Sequence, residues 1–128
     1  MEELSAFKYV EKKSRFYSHL YKIDSESDIE LLLKAHRKTY KKAVHHCYAY
    51  ILKTQHVTID GYRDDGEVGH PGKIIHELLI TNNLNSHVLI VSRIFGGIKL
   101  GVGGVGRAFR TAADHTITHA PHTKKGQH

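Results

Sequence analysis

Six of the 11 glycines in this 128-residue chain fall between Gly96 and Gly106. The run before them, His87 to Phe95, contains Val88-Leu89-Ile90-Val91, which is apolar on both faces and predicts a central strand. The run after them places Val102, Val105, Phe109, Ala113 and Ile117 on one helical stripe. A strand must therefore pass into a helix through backbone nearly free of side chains. Gly101-Val102-Gly103-Gly104-Val105-Gly106 fits the G-x-G-x-x-G pattern of dinucleotide-binding loops. That pattern also requires a further strand with an acidic residue about 20 positions on. Only 22 residues follow Gly106, and their one acid, Asp114, lies inside the expected helix. The dinucleotide reading is rejected, and so is a Walker A loop, because no Gly-Lys-Ser/Thr completes it. Two meanings remain. Free amides at the helix start, flanked by Lys99 and Arg107, hold a phosphate or carboxylate, or the glycines let the helix pack closely on the sheet.

The rest of the chain supplies elements for that strand and helix to join. Ser5 to Ser14 and Arg15 to Ile23 alternate as strands, and Ser27 with Glu30 has capping-box spacing ahead of a helix with Ile29, Leu32, Leu33, His36 and Tyr40 on one stripe. His45 to Leu52 is strand-like, His56 to Ile59 extends the sheet, and Asp60-Gly61 is a hairpin signal. His70-Pro71 opens a helix that buries Ile74, Ile75, Leu78 and Leu79. The order β-β-α-β-β-α-β-α predicts an α+β two-layer sandwich, one mixed β-sheet with its helices on one face. Residues 1–118 form one domain, and 119–128 a polar C-terminal tail.

Composition excludes several classes. No apolar stretch approaches the roughly 20 residues of a membrane span. The acidic start Met1-Glu2-Glu3-Leu4 has no apolar signal region, and the lone Cys47 cannot form an internal disulfide, so a cytoplasmic protein is expected. The formal charge is +6. It is segregated, for Leu31 to Ile59 and Leu78 to Ala113 contain no Asp or Glu. The first stretch carries Lys34, Arg37, Lys38, Lys41, Lys42 and Lys53, the second Arg93, Lys99, Arg107 and Arg110. Segregated basic surface suits nucleic acid, although the Lys34 to Lys42 group reads first as a solvated helix face.

Four blocks resemble the IMPACT/YigZ family. Arg93-Ile94-Phe95-Gly96-Gly97-Ile98-Lys99-Leu100-Gly101-Val102-Gly103-Gly104-Val105-Gly106-Arg107-Ala108-Phe109 is similar to its glycine signature. His45-His46-Cys47-Tyr48-Ala49-Tyr50 matches its H-H-C-Y-A-Y block, Asp64-Asp65-Gly66-Glu67 its D-D-G-E block, and Lys13-Ser14-Arg15-Phe16 its entry strand. After Glu67 the run is one residue shorter than the family's and lacks its Thr-Ala. The resemblance implies a ribosomal protein S-five domain-two-like fold. It also implies a non-enzymatic, translation-linked role, with RNA, the ribosome or a translation-regulatory protein as partner. It brings no catalytic residues and no cofactor. The family's bacterial and eukaryotic members carry accessory domains for which this chain has no room.

Candidate nucleic-acid or anion-binding residues are Arg93, Lys99, Gly101, Gly103, Gly104, Arg107 and Arg110, joined by Tyr48 and Tyr50. Tyr48 and Tyr50 share a strand face with His46, and Tyr17, His19 and Tyr21 share one on another strand. If these faces adjoin, they stack on RNA bases, or else helices cover them and they are core. The alternative function is a metal-dependent hydrolase that uses the acidic 64–67 loop, with Asp64, Asp65, Glu67 and His70 as ligands. Cys47, sharing a face with Ala49 and Ile51, reads as an inert buried thiol. His115, His119 and His122 read as surface.

Overall fold

The computed structural model describes residues 1–121. Its elements are β1 (Glu2–Glu11), β2 (Ser14–Lys22), α1 (Glu26–Thr39), β3 (His45–Lys53), β4 (Thr58–Arg63), α2 (Pro71–Thr81), β5 (His87–Ile94) and α3 (Gly101–Thr118). One five-stranded sheet runs β1-β2-β5-β3-β4. β5 is the middle strand, as its two apolar faces predict. Leu89 lies opposite Leu20 of β2 on one side and Ala49 of β3 on the other.

The α+β class is as expected, and two details of the layering differ. Every strand pairing is antiparallel, so the sheet is not mixed. The helices also occupy both faces. α2 and α3 cover Phe16, Leu20, Cys47, Ala49, Leu89 and Val91, and the Phe16 and Phe109 rings meet edge to face at 5.1 Å. α1 packs Ile29, Leu32 and Leu33 against Tyr21, Val88 and Ile90 on the other face. β5 is apolar on both sides because helices cover both sides. A parallel neighbour is not needed to explain its pattern.

Two local signals resolve differently from the sequence reading. The cap of α1 is Ser25, with no side-chain cap bond, in place of the Ser27–Glu30 box. The β3–β4 turn lies at Thr54 to Val57, where Thr54 Oγ1 accepts the amides of His56 and Val57. Asp60 and Gly61 are inside β4. A Cβ on Gly61 would stand 2.9 Å from Tyr50 Oη, so this glycine leaves room for the Tyr50 ring to lie across its neighbour strand. The expected tail begins within α3's terminal cap, where Ala120 is buried in the core. Its residues 122–128, with His122, lie outside the described residues.

Candidate functional site

The site is built where the 64–70 loop, the end of β5 and the start of α3 meet. Asp64 Oδ1 accepts the Gly72 amide at 2.8 Å, and Asp65 Oδ2 accepts the His46 amide at 2.8 Å. His45 Nδ1 donates to the Asp65 carbonyl at 2.6 Å. Glu67 pairs with Arg93 Nη1 at 3.1 Å, and both side chains are nearly buried, 5% and 9% exposed. Arg93 also lies near the Phe16 and Phe95 rings. The acidic loop is thus a structural clasp that ties β3, β5 and α2 together. This arrangement lends no support to the hydrolase alternative: each carboxylate serves a different protein donor, and His70 is the exposed left-handed cap of α2. Among the described residues no three His, Cys, Asp or Glu are placed to hold a metal ion.

Beyond the clasp the loop crosses α3. A Cβ on Gly69 would stand 2.8 Å from the Val102 carbonyl, and one on Gly106 would stand 3.2 Å from the Gly69 carbonyl. Both glycines allow two backbones to touch. The packing meaning of the glycine cluster therefore holds at Gly106. The first turn of α3 differs: Leu100 caps it without a side-chain bond, and no acidic residue stands in it. Its leading amides are left for solvent or a ligand.

This turn is a ridge between two clefts. One, about 530 Å³, is walled by Val44 and His45 before and at the start of β3, Glu67 and Val68 of the loop, and Arg93 and Phe95. Lys99 to Val102, with Val105, close it. The other, about 290 Å³, lies toward β1 and includes Lys12, Glu11, Gly104 and Arg107. Arg107 folds back over the turn, its Nη1 3.1 Å from where a Cβ on Gly103 would sit.

The structure thus brings Lys99, Gly101, Gly103, Gly104 and Arg107 together. Lys99 and Arg107 are exposed on opposite sides of the ridge. Arg110 is also exposed, 4.0 Å from Glu77. Arg93 belongs to the site as its buried wall. Tyr48 and Tyr50 do not join it. They lie on the α1 face, stacked at 6.5 Å and half-buried against that second core. On the same face Tyr17 stacks on Tyr40, the C-cap of α1, at 4.4 Å, and β5 separates β2 from β3. Sequence reasoning missed Val44, Val68 and Val102 as a group, because they come from three separate segments.

Cys47 is fully buried, its thiol 3.1 Å from the Asp64 carbonyl. Burial, then the nearby Glu67, Asp65 and Asp64 charges, push its thiol pKa up. An inert thiol is the expected result: Cys47 should resist maleimide in the native protein and react once urea unfolds it, as mass spectrometry would record. Rapid native labelling would contradict this burial. His115 stacks between Phe7 at 4.0 Å and His119 at 4.4 Å, which gives both rings a packing role.

Fold and site together define a small α+β domain with a five-stranded antiparallel sheet and a glycine-built helix start raised between two clefts. The model of the Impact N-terminal domain matches residues 12–117. The IMPACT family member YvyE of Bacillus subtilis is 33% identical over 121 residues, covering 93% of this chain and 55% of that protein. The protein IMPACT homolog of Dictyostelium discoideum is 40% identical over 96 residues, 71% of this chain and 27% of its own. The crystal structure of a hypothetical protein superimposes with a TM-score of 0.80 at 26% identity, covering 94% of this chain and 62% of that one. The two-domain translational regulator Yih1 shares the fold at 20% identity, with a TM-score of 0.58 over 92% of this chain and 46% of its own. The chain belongs to the IMPACT family. It spans about half the length of the bacterial relatives it matches. No helix among the described residues is long and apolar enough to cross a membrane.

Proposed function

We propose that residues 1–118 act as one translation-linked regulatory binding domain, whose basic α3 ridge contacts RNA or the ribosome in the cytoplasm. The observation that carries the reading is the pairing of two exposed cations, Lys99 and Arg107, with an uncapped helix start that bears no acid in its first turn. Phosphate groups suit cations and helix-start amides together. Family membership supports the translational setting, since relatives include proteins named IMPACT and the fold is shared with the translational regulator Yih1. A translation-regulatory protein on the same ridge is the second reading, favoured by the apolar cleft beside Lys99.

The test is fluorescence anisotropy with a single-stranded RNA oligonucleotide across a salt series. Binding should weaken steeply as salt rises. Arg107→Glu should lower affinity about tenfold and shallow the salt slope by about one. No binding at low salt, or binding indifferent to salt, would exclude the nucleic-acid reading and leave the protein-partner reading.

A further inference from the structure

The larger cleft has a character unlike the rest of the ridge. Its rim exposes apolar side chains: Val44 is 76% exposed and Val102 62%, with Val68 and Phe95 about half exposed. Exposed apolar groups gathered from four segments around one depression mark a binding surface more than solitary surface residues do. At about 530 Å³ the depression falls within the range of roughly 300–1,000 Å³ that takes a compact ligand.

Its polar groups are donors in excess. Lys99 stands at the mouth with no acidic partner among the described residues. The amides that open α3 lie at the same end without a capping side chain. Arg93, nine-tenths buried in the wall, keeps Nε fully buried with no acceptor. The one carboxylate in the wall, Glu67, already serves Arg93 and the Val68 amide. Donors of this kind beside an apolar rim suit an anion that carries an apolar group.

The geometry points to capture of a protein's C-terminus: an apolar last side chain seated between Val44, Val68 and Val102, and its free carboxylate held by Lys99 and the α3 amides. A chain terminus places side chain and carboxylate on one carbon, matching an apolar depression whose donors converge at one end. An internal Asp or Glu would need flanking backbone polar groups to cross the apolar rim unpaired. Backbone amides are a known way to hold a terminal carboxylate. The assignment goes beyond nucleic-acid binding and does not depend on it.

The test uses the whole 128-residue chain in amide NMR titrations with three peptides. One is acetyl-Gly-Ser-Gly-Ser-Phe-Leu with a free carboxylate. The second is its C-terminal amide, and the third is an amidated version with an internal Asp. The free acid should shift the amides of Val44, Val68 and Val102. Amidation should weaken binding by about tenfold or more, the loss expected for a charge-assisted contact. The exposed substitutions Val102→Glu and Lys99→Glu should each weaken it by about tenfold, while Lys34→Glu on α1, an equal change of charge, should leave it unchanged. Equal binding of the amide or of the internal-Asp peptide would overturn the assignment. So would shifts away from the cleft, or concentration-dependent cleft shifts of the chain alone.

Discussion

Stability against urea is expected to fall steeply as the pH drops below about 6.5, through two histidines locked between α1 and the sheet. His36 of α1 takes Tyr21 Oη at 2.7 Å on Nε2 and Ser92 Oγ at 2.9 Å on Nδ1. His46 of β3 reaches the same Ser92 Oγ through Nδ1 at 2.7 Å. Ser92 has one proton to give, so it donates to one ring, whose Nδ1 is then unprotonated, and accepts from the other. His19 stands edge-on to His36 at 4.8 Å, itself paired with Glu3 and hydrogen-bonded to Tyr40. Burial, then the charges of His19 and His46, hold the His36 pKa down from 6.5 to about 3. Burial also lowers His46, more than Asp65 raises it, with Arg37 and His45 adding to the lowering.

The sign follows from linkage. Above pH 6.5 both rings are neutral folded or unfolded, and the pair contributes no pH dependence. Below it the unfolded chain takes up protons that the folded chain refuses, so stability drains away until the folded pKa is reached. One such group gives a slope of about 1.4 kcal/mol per pH unit. Over the window from 6.5 to about 3, His36 alone accounts for a loss of about 5 kcal/mol, comparable with the whole stability of many domains. His36→Leu should be less stable at pH 7, because Tyr21 and Ser92 lose a partner, and should show a visibly flatter slope between pH 6 and 4. A wild-type urea midpoint that stays level from pH 7 to pH 4 would refute the account.

The second large effect sits in the clasp. Glu67→Ala leaves the Arg93 guanidinium nearly buried with no counter-charge. Removing one member of a buried pair costs about 3–5 kcal/mol. The double change Glu67→Leu with Arg93→Met removes both charges and should recover much of that loss, because well-packed apolar side chains can replace a buried pair. Urea unfolding of the three proteins settles it. A Glu67→Ala loss below about 1 kcal/mol would mean that the pair is solvated.

These two networks show where the residue pattern was readable. Periodicity placed His36 on the buried stripe of α1 and made β5 central, because spacing along one element reports which face is covered. The partners of His36 are contributed by three strands, and the partner of Arg93 lies 26 residues away on the far side of α2 in the sequence. Nothing local encodes either pairing. Strand direction is equally silent in alternation, so a strand apolar on both faces reads the same in a mixed sheet or in an antiparallel one covered by α1 on one side and α2 with α3 on the other. Glycine after aspartate is the common hairpin signal, so Asp60-Gly61 reads as a turn. The actual reason for Gly61, the Tyr50 ring, belongs to the neighbouring strand. The α3 ridge was visible as glycines with flanking cations, but its division into a polar and an apolar side was not.

The central position of β5 also sets an order of assembly. β1–β2 and β3–β4 are hairpins of neighbouring segments, and each can form as soon as its own residues are present. β5 then has to enter between two strands that are already paired elsewhere, supplying the middle of both cores at once. Until residue 94 is available, neither core has its middle strand. The sheet is thus completed by long-range contacts, the kind that slows folding relative to a helical bundle of equal length. The place of β5 between the two hairpins thus makes their joining depend on the segment that comes last of the five strands.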